Sequence, residues 1–149
     1  MIVWSIEYET GIPEIDADHQ RLFALVNEVS DGSKSDEDFP LGEVIVELAD
    51  YVIYHFRREE ALMLACDYEH VDIHKKEHQR LEETFLSFKQ DFENDPRAFN
   101  VNGFTDFLTR WLRNHILVSD NDYIADIKHH IKKQQKLNFR LRRTSLRFE

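Results

Sequence analysis

The sequence predicts an all-α protein, an antiparallel up-down-up-down four-helix bundle with a basic C-terminal extension. The chain has 149 residues but only four glycines and three prolines, which is little turn chemistry for a fold of many short strands. In four segments, apolar residues recur at alternating steps of three and four, the pattern of a helix with one buried face. Short or moderate loops between such helices are typical of an antiparallel bundle.

The first two segments are predicted to be helices that carry polar residues within their apolar stripes. The stripe of the first helix reads Ile15, His19, Leu22, Val26, Val29. Asp31-Gly32 is predicted to end this helix, and Pro40 suits the first turn of the next one. The stripe of the second helix reads Val44, Leu48, Tyr51, His55, Glu59, Leu62, Cys66.

The third and fourth segments show the same pattern. The stripe of the third helix reads His74, His78, Leu81, Phe85, Phe88, Phe92. Asn94-Asp95-Pro96 is predicted to end it, and the fourth helix is predicted to open after Asn102-Gly103. The stripe of the fourth helix reads Phe104, Leu108, Trp111, His115, Val118.

The C-terminal extension is predicted to continue the fourth helix, with a basic solvated face, as far as Lys136. Beyond it, Leu137, Phe139 and Leu141 alternate with polar residues, a period closer to that of a strand. We therefore divide the chain into one domain of residues 1–136 and a basic tail of residues 137–149. The tail could dock on its own acidic body, mediate self-association, or contact an acidic partner or a membrane surface.

Charge and composition restrict the partners and the compartment. The net charge is −10, but residues 128–149 hold eight Lys or Arg and one acid, a balance of +7, so residues 1–127 carry −17. Such an acidic body is a poor binder of nucleic acid. No membrane span or signal peptide is visible. The single cysteine excludes an internal disulfide and fits a reducing compartment, so we expect a cytoplasmic location.

Five histidines and one glutamate lie on the apolar stripes, where an unpaired polar group is costly to bury. One such histidine is usually a hydrogen-bonded core residue, but five on four helices favour a shared metal site. His55 and Glu59 are four residues apart, as are His74 and His78, so each pair projects in one direction and could bind one centre.

Asp120 fits this pattern less easily. On an ideal helix it lies about 140° around the axis from His115. Taken alone, an acid at this position is more typical of a solvated face. A single π-helical turn between Ile116 and Asp120 would bring it towards the same side, and such turns are frequent at functional sites.

The predicted ligand types suit iron, zinc, copper or nickel, and the lack of thiolates argues against a structural zinc site. Seven candidate ligands are too many for one metal ion and suit two. The candidates are His19, His55, Glu59, His74, His78, His115 and Asp120. With bridging carboxylates and a bridging hydroxide, two octahedral metals would keep about one open position. Histidine-rich ligation also favours reversible dioxygen binding over O–O cleavage, in contrast to carboxylate-rich di-iron sites.

Four segments together resemble the hemerythrin family, and more narrowly its single-domain bacterial members. They are residues 11–19 (GIPEIDADH), 55–60 (HFRREE), 74–78 (HKKEH) and 111–120 (WLRNHILVSD). The resemblance extends over roughly residues 4 to 130, and all seven candidate ligand positions are filled.

The resemblance implies two iron ions joined by an oxide or hydroxide, with Glu59 and Asp120 bridging. His74, His78 and His115 would hold the coordinatively full iron. His19 and His55 would hold the iron with the open position, where dioxygen binds. The residues that correspond to the apolar oxygen pocket of the family are Leu22, Phe56, Trp111, Leu112 and Ile116.

The leading hypothesis is therefore a protein that binds dioxygen reversibly, for oxygen carriage, storage, delivery or sensing, and not an enzyme. The alternative is a di-iron enzyme that acts on peroxide or nitric oxide, or oxidises ferrous iron. Such chemistry needs a proton donor, and Glu60 and Glu77 lie off the stripes, where they are expected to point outward. A third interpretation is a helical bundle with zinc or without a metal.

Overall fold

The computed structural model describes residues 2–35, 38–119 and 121–147, and its long elements are all helices. A short 3-10 turn at Ile6–Tyr8 precedes the bundle. The elements of the bundle, in chain order, are α1 Pro13–Ser35, α2 Leu41–Ala65, α3 Val71–Asn94, α4 Val101–Asn114, a π-helical turn His115–Ser119, and α5 Asn121–Arg147.

The predicted all-α bundle is confirmed. Helix α1 packs against α2 and α4, and α2 packs against α3 and α5. Because the connections between successive helices are short, neighbouring helices run in opposite directions. The segments α4 and α5, with the π-helical turn between them, occupy the place of the fourth helix.

Two predicted helix limits are wrong, and both involve a glycine. Helix α1 continues through Gly32 to Ser35. A β-carbon at residue 32 would overlap the ring of Phe39, so this glycine permits close packing and does not end the helix. Helix α4 begins two residues before Gly103, because the Asn100 side chain accepts a hydrogen bond of 3.0 Å from the Gly103 N–H and caps the helix there.

The strand-like period predicted for the basic tail is also wrong. Helix α5 runs without interruption from Asn121 to Arg147, through the proposed boundary between residues 136 and 137. Lys, Arg, Gln and Leu, which make up much of this segment, have high helix propensity, and this outweighs a short alternation of apolar and polar residues. The domain boundary itself stays a prediction.

The core is divided into two apolar clusters. The larger one fills most of the bundle and includes Leu22, Val52, Phe56, Phe85 and Leu112. The smaller one lies at the end where α2 meets α3 and comprises Ile12, Ile15, Met63, Tyr68, Tyr123, Ile124 and Ile127. The six described candidate ligands are all buried beside these clusters. We call this set of buried polar side chains, His19, His55, Glu59, His74, His78 and His115, the polar layer.

The loop before α1 is attached to the helix by Asp16. Its carboxylate accepts hydrogen bonds from the Thr10 N–H and hydroxyl, both at 2.8 Å, and from the Gly11 N–H at 3.2 Å. Gly11 has a φ of 82°, a conformation that only glycine adopts without strain. This anchor sets the first turn of α1, one turn before His19.

None of the helices in the described part of the chain is both long and apolar enough to cross a membrane.

Replacement of Asp16 by alanine should lower the free energy of unfolding by about 1–3 kcal/mol, because a charged acceptor of three hydrogen bonds is lost. Urea denaturation followed by circular dichroism measures this loss. Glu14→Ala is the matched control, since Glu14 is an exposed acid in the same turn and its loss should change stability little. Equal effects of the two substitutions would contradict the anchoring role of Asp16.

Candidate metal centre

Four of the predicted ligands meet at one point inside the bundle. One candidate ligand atom from each of His19, His55, Glu59 and His115 lies within 4.8 Å of the others, and all four residues are buried. They come from α1, α2 and the π-helical turn. We call this set the inner cluster.

The histidines of the inner cluster converge through their Nε2 atoms. The Nε2 atom of His55 lies 3.2 Å from that of His19 and 3.3 Å from that of His115. Two nitrogen ligands with bonds of about 2.1 Å to one metal, at angles between square and tetrahedral, stand about 3.0–3.4 Å apart. The 3.2 Å between the Nε2 atoms of His19 and His55 therefore fits ligation of one metal ion. The Nε2 atom of His115 lies just as close to that of His55, so these distances do not assign His115 to one ion or the other.

The contact between His55 and Glu59 is one that a proton or a metal ion between the two atoms would stabilise. The Nδ1 atom of His55 lies 3.1 Å from the carboxylate of Asp18, which can only accept a proton. In the neutral ring the Nε2 atom is then an acceptor, yet it lies against Oε1 of Glu59. Two acceptors at such close range need a proton or a metal ion between them.

Glu59 stands between two groups of histidines. Its Oε1 atom lies 2.8 Å from Nε2 of His115 and 3.7 Å from Nε2 of His19, whereas its Oε2 atom lies 3.3 Å from Nε2 of His78. Burial opposes ionisation of Glu59, but the charges of His115 and His55 and the hydrogen bonds from His115 and His19 outweigh it, so the pKa of Glu59 lies well below its usual value. An ionised carboxylate with its two oxygens facing different histidines is suited to bridge two cations.

His78 and His74 form the second group, on α3. Both are buried, and their ring centroids are 6.4 Å apart. Neither ring nitrogen of His78 has a hydrogen-bond partner among the described residues. A buried donor or acceptor without a partner costs about 1–3 kcal/mol, so bound metal would remove a penalty at His78. His74 is not part of the inner cluster and adjoins it through His78.

Asp120 lies outside the described residues, so its assignment as a ligand stays a prediction. The element before it is informative, however. The π-helical turn that would realign Asp120 with His115 is present, over His115–Ser119.

Asp18 is a buried residue of the site that sequence analysis missed. Besides its contact with His55, its carboxylate lies 3.1 Å from Nε of Arg58 and accepts a 3.1 Å hydrogen bond from the hydroxyl of Tyr51. Burial raises the pKa of Asp18, but the hydrogen bond and charge of His55, with Arg58 and Tyr51, lower it below its usual value. Burial and the charge of Asp18 raise the pKa of Tyr51 to about 12. Because Asp18 lies off the apolar stripe, the helical period provided no signal for it.

The expectation that Glu60 points outward is wrong. Glu60 is buried, its side chain accepts a 2.6 Å hydrogen bond from Nη1 of Arg57, and it lies 3.9 Å from Nδ1 of His78. Arg57 also contacts Glu82 on α3. Arg57 thus links Glu60 of α2 to Glu82 of α3, and this ion-pair network keeps the Glu60 side chain out of solvent. Glu77 is about half exposed and lies 4.0 Å from Nδ1 of His74.

The five residues predicted to line an oxygen pocket are all buried in the larger apolar cluster. They are Leu22, Phe56, Trp111, Leu112 and Ile116. The Phe56 ring stacks on the His78 ring, with centroids 3.9 Å apart and planes 3° from parallel. The Trp111 ring lies over that of His115, 5.8 Å away. An apolar wall therefore adjoins the centre, while its contact with oxygen stays a prediction.

A cavity of about 610 Å³ lies between α3 and α4 and extends from the surface to this wall. Leu81, Phe107, Trp111 and His115 are among its lining residues. The Trp111 ring, which lines this cavity, also packs edge-to-face on Phe85 of α3, with ring centroids 5.5 Å apart.

Known proteins share both the sequence pattern and the fold. The model of the hemerythrin HHE cation binding domain matches residues 10–127. A bacteriohemerythrin of Pseudomonas aeruginosa is 33% identical over 129 residues, which cover 86% of this chain and 82% of the relative. One of Clostridium acetobutylicum is 32% identical, with 83% of this chain and 99% of the relative covered.

Solved structures agree with this relationship. A crystal structure of wild-type hemerythrin superposes with a TM-score of 0.78 at 28% identity, covering 85% of this chain and 98% of that one. The match of the family model spans most of the chain, including every residue of the inner cluster. The chain therefore belongs to the hemerythrin family.

Proposed function

We propose that this protein binds dioxygen reversibly at a centre of two iron ions. The observation that carries the proposal is the position of Glu59, an ionised and fully buried carboxylate whose two oxygens face different histidines. By the family pattern, His74, His78 and His115 would hold one iron ion, His19 and His55 would hold the other, and Glu59 and Asp120 would be shared between them. The family to which the chain belongs supports iron and dioxygen over other metals and ligands.

The inclusion of Asp120 is supported by the π-helical turn at His115–Ser119. A turn with i→i+5 hydrogen bonds brings residues five apart onto one face, which an ordinary helical turn does not do. Such a turn inside a helix is uncommon, and a ligand pair five residues apart explains its position in this chain.

Asp18 orients His55 in this centre. By accepting the Nδ1 proton it selects the tautomer whose Nε2 lone pair faces the inner cluster, and it makes the imidazole a stronger electron donor. Glu60 lies 3.9 Å from Nδ1 of His78, beyond hydrogen-bond distance, so its carboxylate contributes charge near this ring and does not hold its tautomer. Both carboxylates are themselves held by arginines, Arg58 and Arg57.

The bound iron ions would supply the electrons for reversible dioxygen binding, and the apolar wall would protect them. Leu22, Phe56, Trp111, Leu112 and Ile116 present no ionisable group to the polar layer. Exclusion of water and protons slows the irreversible oxidation of such a centre. The cavity between α3 and α4 offers a small apolar molecule an approach to this wall.

The alternative, a di-iron enzyme acting on peroxide or nitric oxide or oxidising ferrous iron, needs a proton donor at the open position. The one buried glutamate besides Glu59 is Glu60, among the described residues. It is engaged by Arg57 and stands at the outer nitrogen of His78, away from His19 and His55. This placement favours oxygen binding over proton-coupled turnover.

The direct test is the visible spectrum of iron-loaded protein, cycled between argon and oxygen. Reversible binding predicts a charge-transfer band that appears with oxygen, disappears under argon and returns over several cycles. Irreversible conversion to a ferric spectrum, with turnover of added peroxide or nitric oxide, would favour the enzymatic alternative.

Loss of a ligand should remove stoichiometric iron. We expect Glu59→Ala and His74→Ala to bind less than the two iron ions per chain of the unchanged protein, because each removes a donor from the centre. Iron analysis of the purified variants measures this. His70→Ala is the control, since His70 is exposed on the turn before α3. Full iron content in Glu59→Ala would refute the bridging role.

Asp18→Asn should weaken iron binding about 10- to 100-fold, because an amide no longer selects the His55 tautomer or strengthens its donation. Competition with a chelator measures the affinity. The tautomer itself can be read in the metal-free protein from ¹⁵N chemical shifts of His55. Asp50→Asn, an exposed acid on α2, is the matched control. An unchanged affinity and tautomer would show that Asp18 is only a packing residue.

A further inference from the structure

The C-terminal half of α5 extends beyond the bundle. Among the described side chains of this helix, Ile131 is the last that packs against an apolar cluster. From residue 132 to residue 142, every side chain is exposed, while the backbone remains helical to Arg147. We call residues 132–147 the arm. At the rise of an α-helix, the arm is about 24 Å long.

Most of the stability of helices in proteins comes from packing of an apolar face. The arm is only slightly longer than the roughly 12–15 residues below which isolated helices are marginal in water, so helix propensity alone stabilises it weakly. The arm nevertheless exposes three large apolar side chains, Leu137, Phe139 and Leu141, at 50%, 61% and 59%. A surface that packs against these side chains would stabilise the arm.

The charge of the arm indicates an acidic partner. Exposed cationic side chains occur at Lys132, Lys133, Lys136, Arg140 and Arg142, and no acid stands among residues 127–148. The rest of the chain, residues 1–127, carries −17. The complementary surface is therefore present on another copy of the same protein, at a concentration equal to that of the arm itself.

The distribution of apolar side chains favours a protein surface over a lipid surface. Leu137 and Leu141 lie about 40° apart around the helix axis, but Phe139 lies about 160° from each of them. Basic side chains occur between these positions. A helix that binds the face of a membrane needs one broad apolar side, and the arm lacks it.

The end of the bundle from which the arm leaves carries a matching surface. Val71, at the start of α3, and Ile131 pack on the same apolar cluster, so this end includes the turn between α2 and α3. Asp67, Glu69 and Asp72 are exposed there. Near them, Leu64 and Ile73 are exposed at 54% and 57%. This acidic end offers both charge and apolar contact to a basic arm.

We propose that the protein forms a symmetric dimer in which the arm of each copy packs on the acidic end of the other. In a two-fold dimer the arm of the first copy binds the acidic end of the second, and the arm of the second binds the acidic end of the first. Both contacts are then satisfied within the dimer, and no further copy is needed. Contact at this end leaves the polar layer inside each copy. The dimer is thus independent of the metal and of oxygen binding.

Charge reversal with exchange tests the proposal. The arm variant is Lys132→Glu/Lys133→Glu/Lys136→Glu, and the acceptor variant is Asp67→Lys/Glu69→Lys/Asp72→Lys. Sedimentation velocity of the full chain, from about 1 μM to about 1 mM, measures the dimer. We expect each variant alone to lose the dimer. A mixture of the two variants should form a heterodimer. In it, the acidic arm of the arm variant meets the basic acceptor of the acceptor variant, and the basic arm of the acceptor variant meets the acidic acceptor of the arm variant.

The matched control reverses three cations elsewhere, Lys34→Glu/Arg80→Glu/Arg97→Glu, and should keep the dimer. Circular dichroism and the visible spectrum of the iron-loaded variants verify that the bundle is intact. A monomeric unchanged protein at every concentration would overturn the proposal, as would a dimer that survives reversal of the arm. Binding of the monomer to vesicles of phosphatidylserine and phosphatidylcholine, lost in the arm variant, would overturn it in favour of a lipid surface.

Discussion

The burial of an ionised carboxylate among imidazoles is the constraint on which the rest of the structure depends. Glu59 is fully buried, and the nearby histidines hold its pKa well below the usual value. Such a layer inside an apolar bundle is unfavourable unless cations pair with it. Bound metal ions would satisfy this requirement, because they would neutralise the carboxylate and take the inward-facing nitrogens of His19, His55 and His115 as ligands. The stability of the bundle and the proposed oxygen binding would then depend on the same atoms.

Carboxylates and arginines nearer the bundle surface surround the histidines of the polar layer. Asp18 and Glu60 lie at the outer nitrogens of His55 and His78, and Arg58 and Arg57 hold these carboxylates at the bundle surface. Each chain of contacts leads from a surface cation through a carboxylate to an imidazole. The contact with Asp18 is short enough to hold the orientation of the His55 ring, whereas Glu60 is farther from His78. The apolar clusters on both sides of the layer restrict water, so the few polar contacts have large effects.

The helices of the bundle and the arm differ in how much of their apolar surface is buried. In the bundle, aromatic and aliphatic stripes bury each helix, and side chains such as Phe104 and Leu108 are fully enclosed. In the arm, the same helical backbone continues with exposed leucines and cations. Helix propensity alone sustains little structure of this length in water. The stability of the arm thus depends on what it contacts. The acidic residues 1–127 of another copy provide a surface of complementary charge.

The sequence by itself determined the fold class and the candidate ligands, because the stripe period is local and a histidine within it is visible without coordinates. It also indicated the π-helical turn, since His115 and Asp120 are five residues apart. Tertiary structure decided the roles of Asp18 and Glu60, which lie off the stripes and acquire meaning only beside a histidine or an arginine from elsewhere in the fold. It decided that Gly32 lies within a helix, because the ring of Phe39 packs there. It also decided that the tail is helical, because α5 begins within the bundle and continues without a break through residues whose alternating pattern predicted a strand.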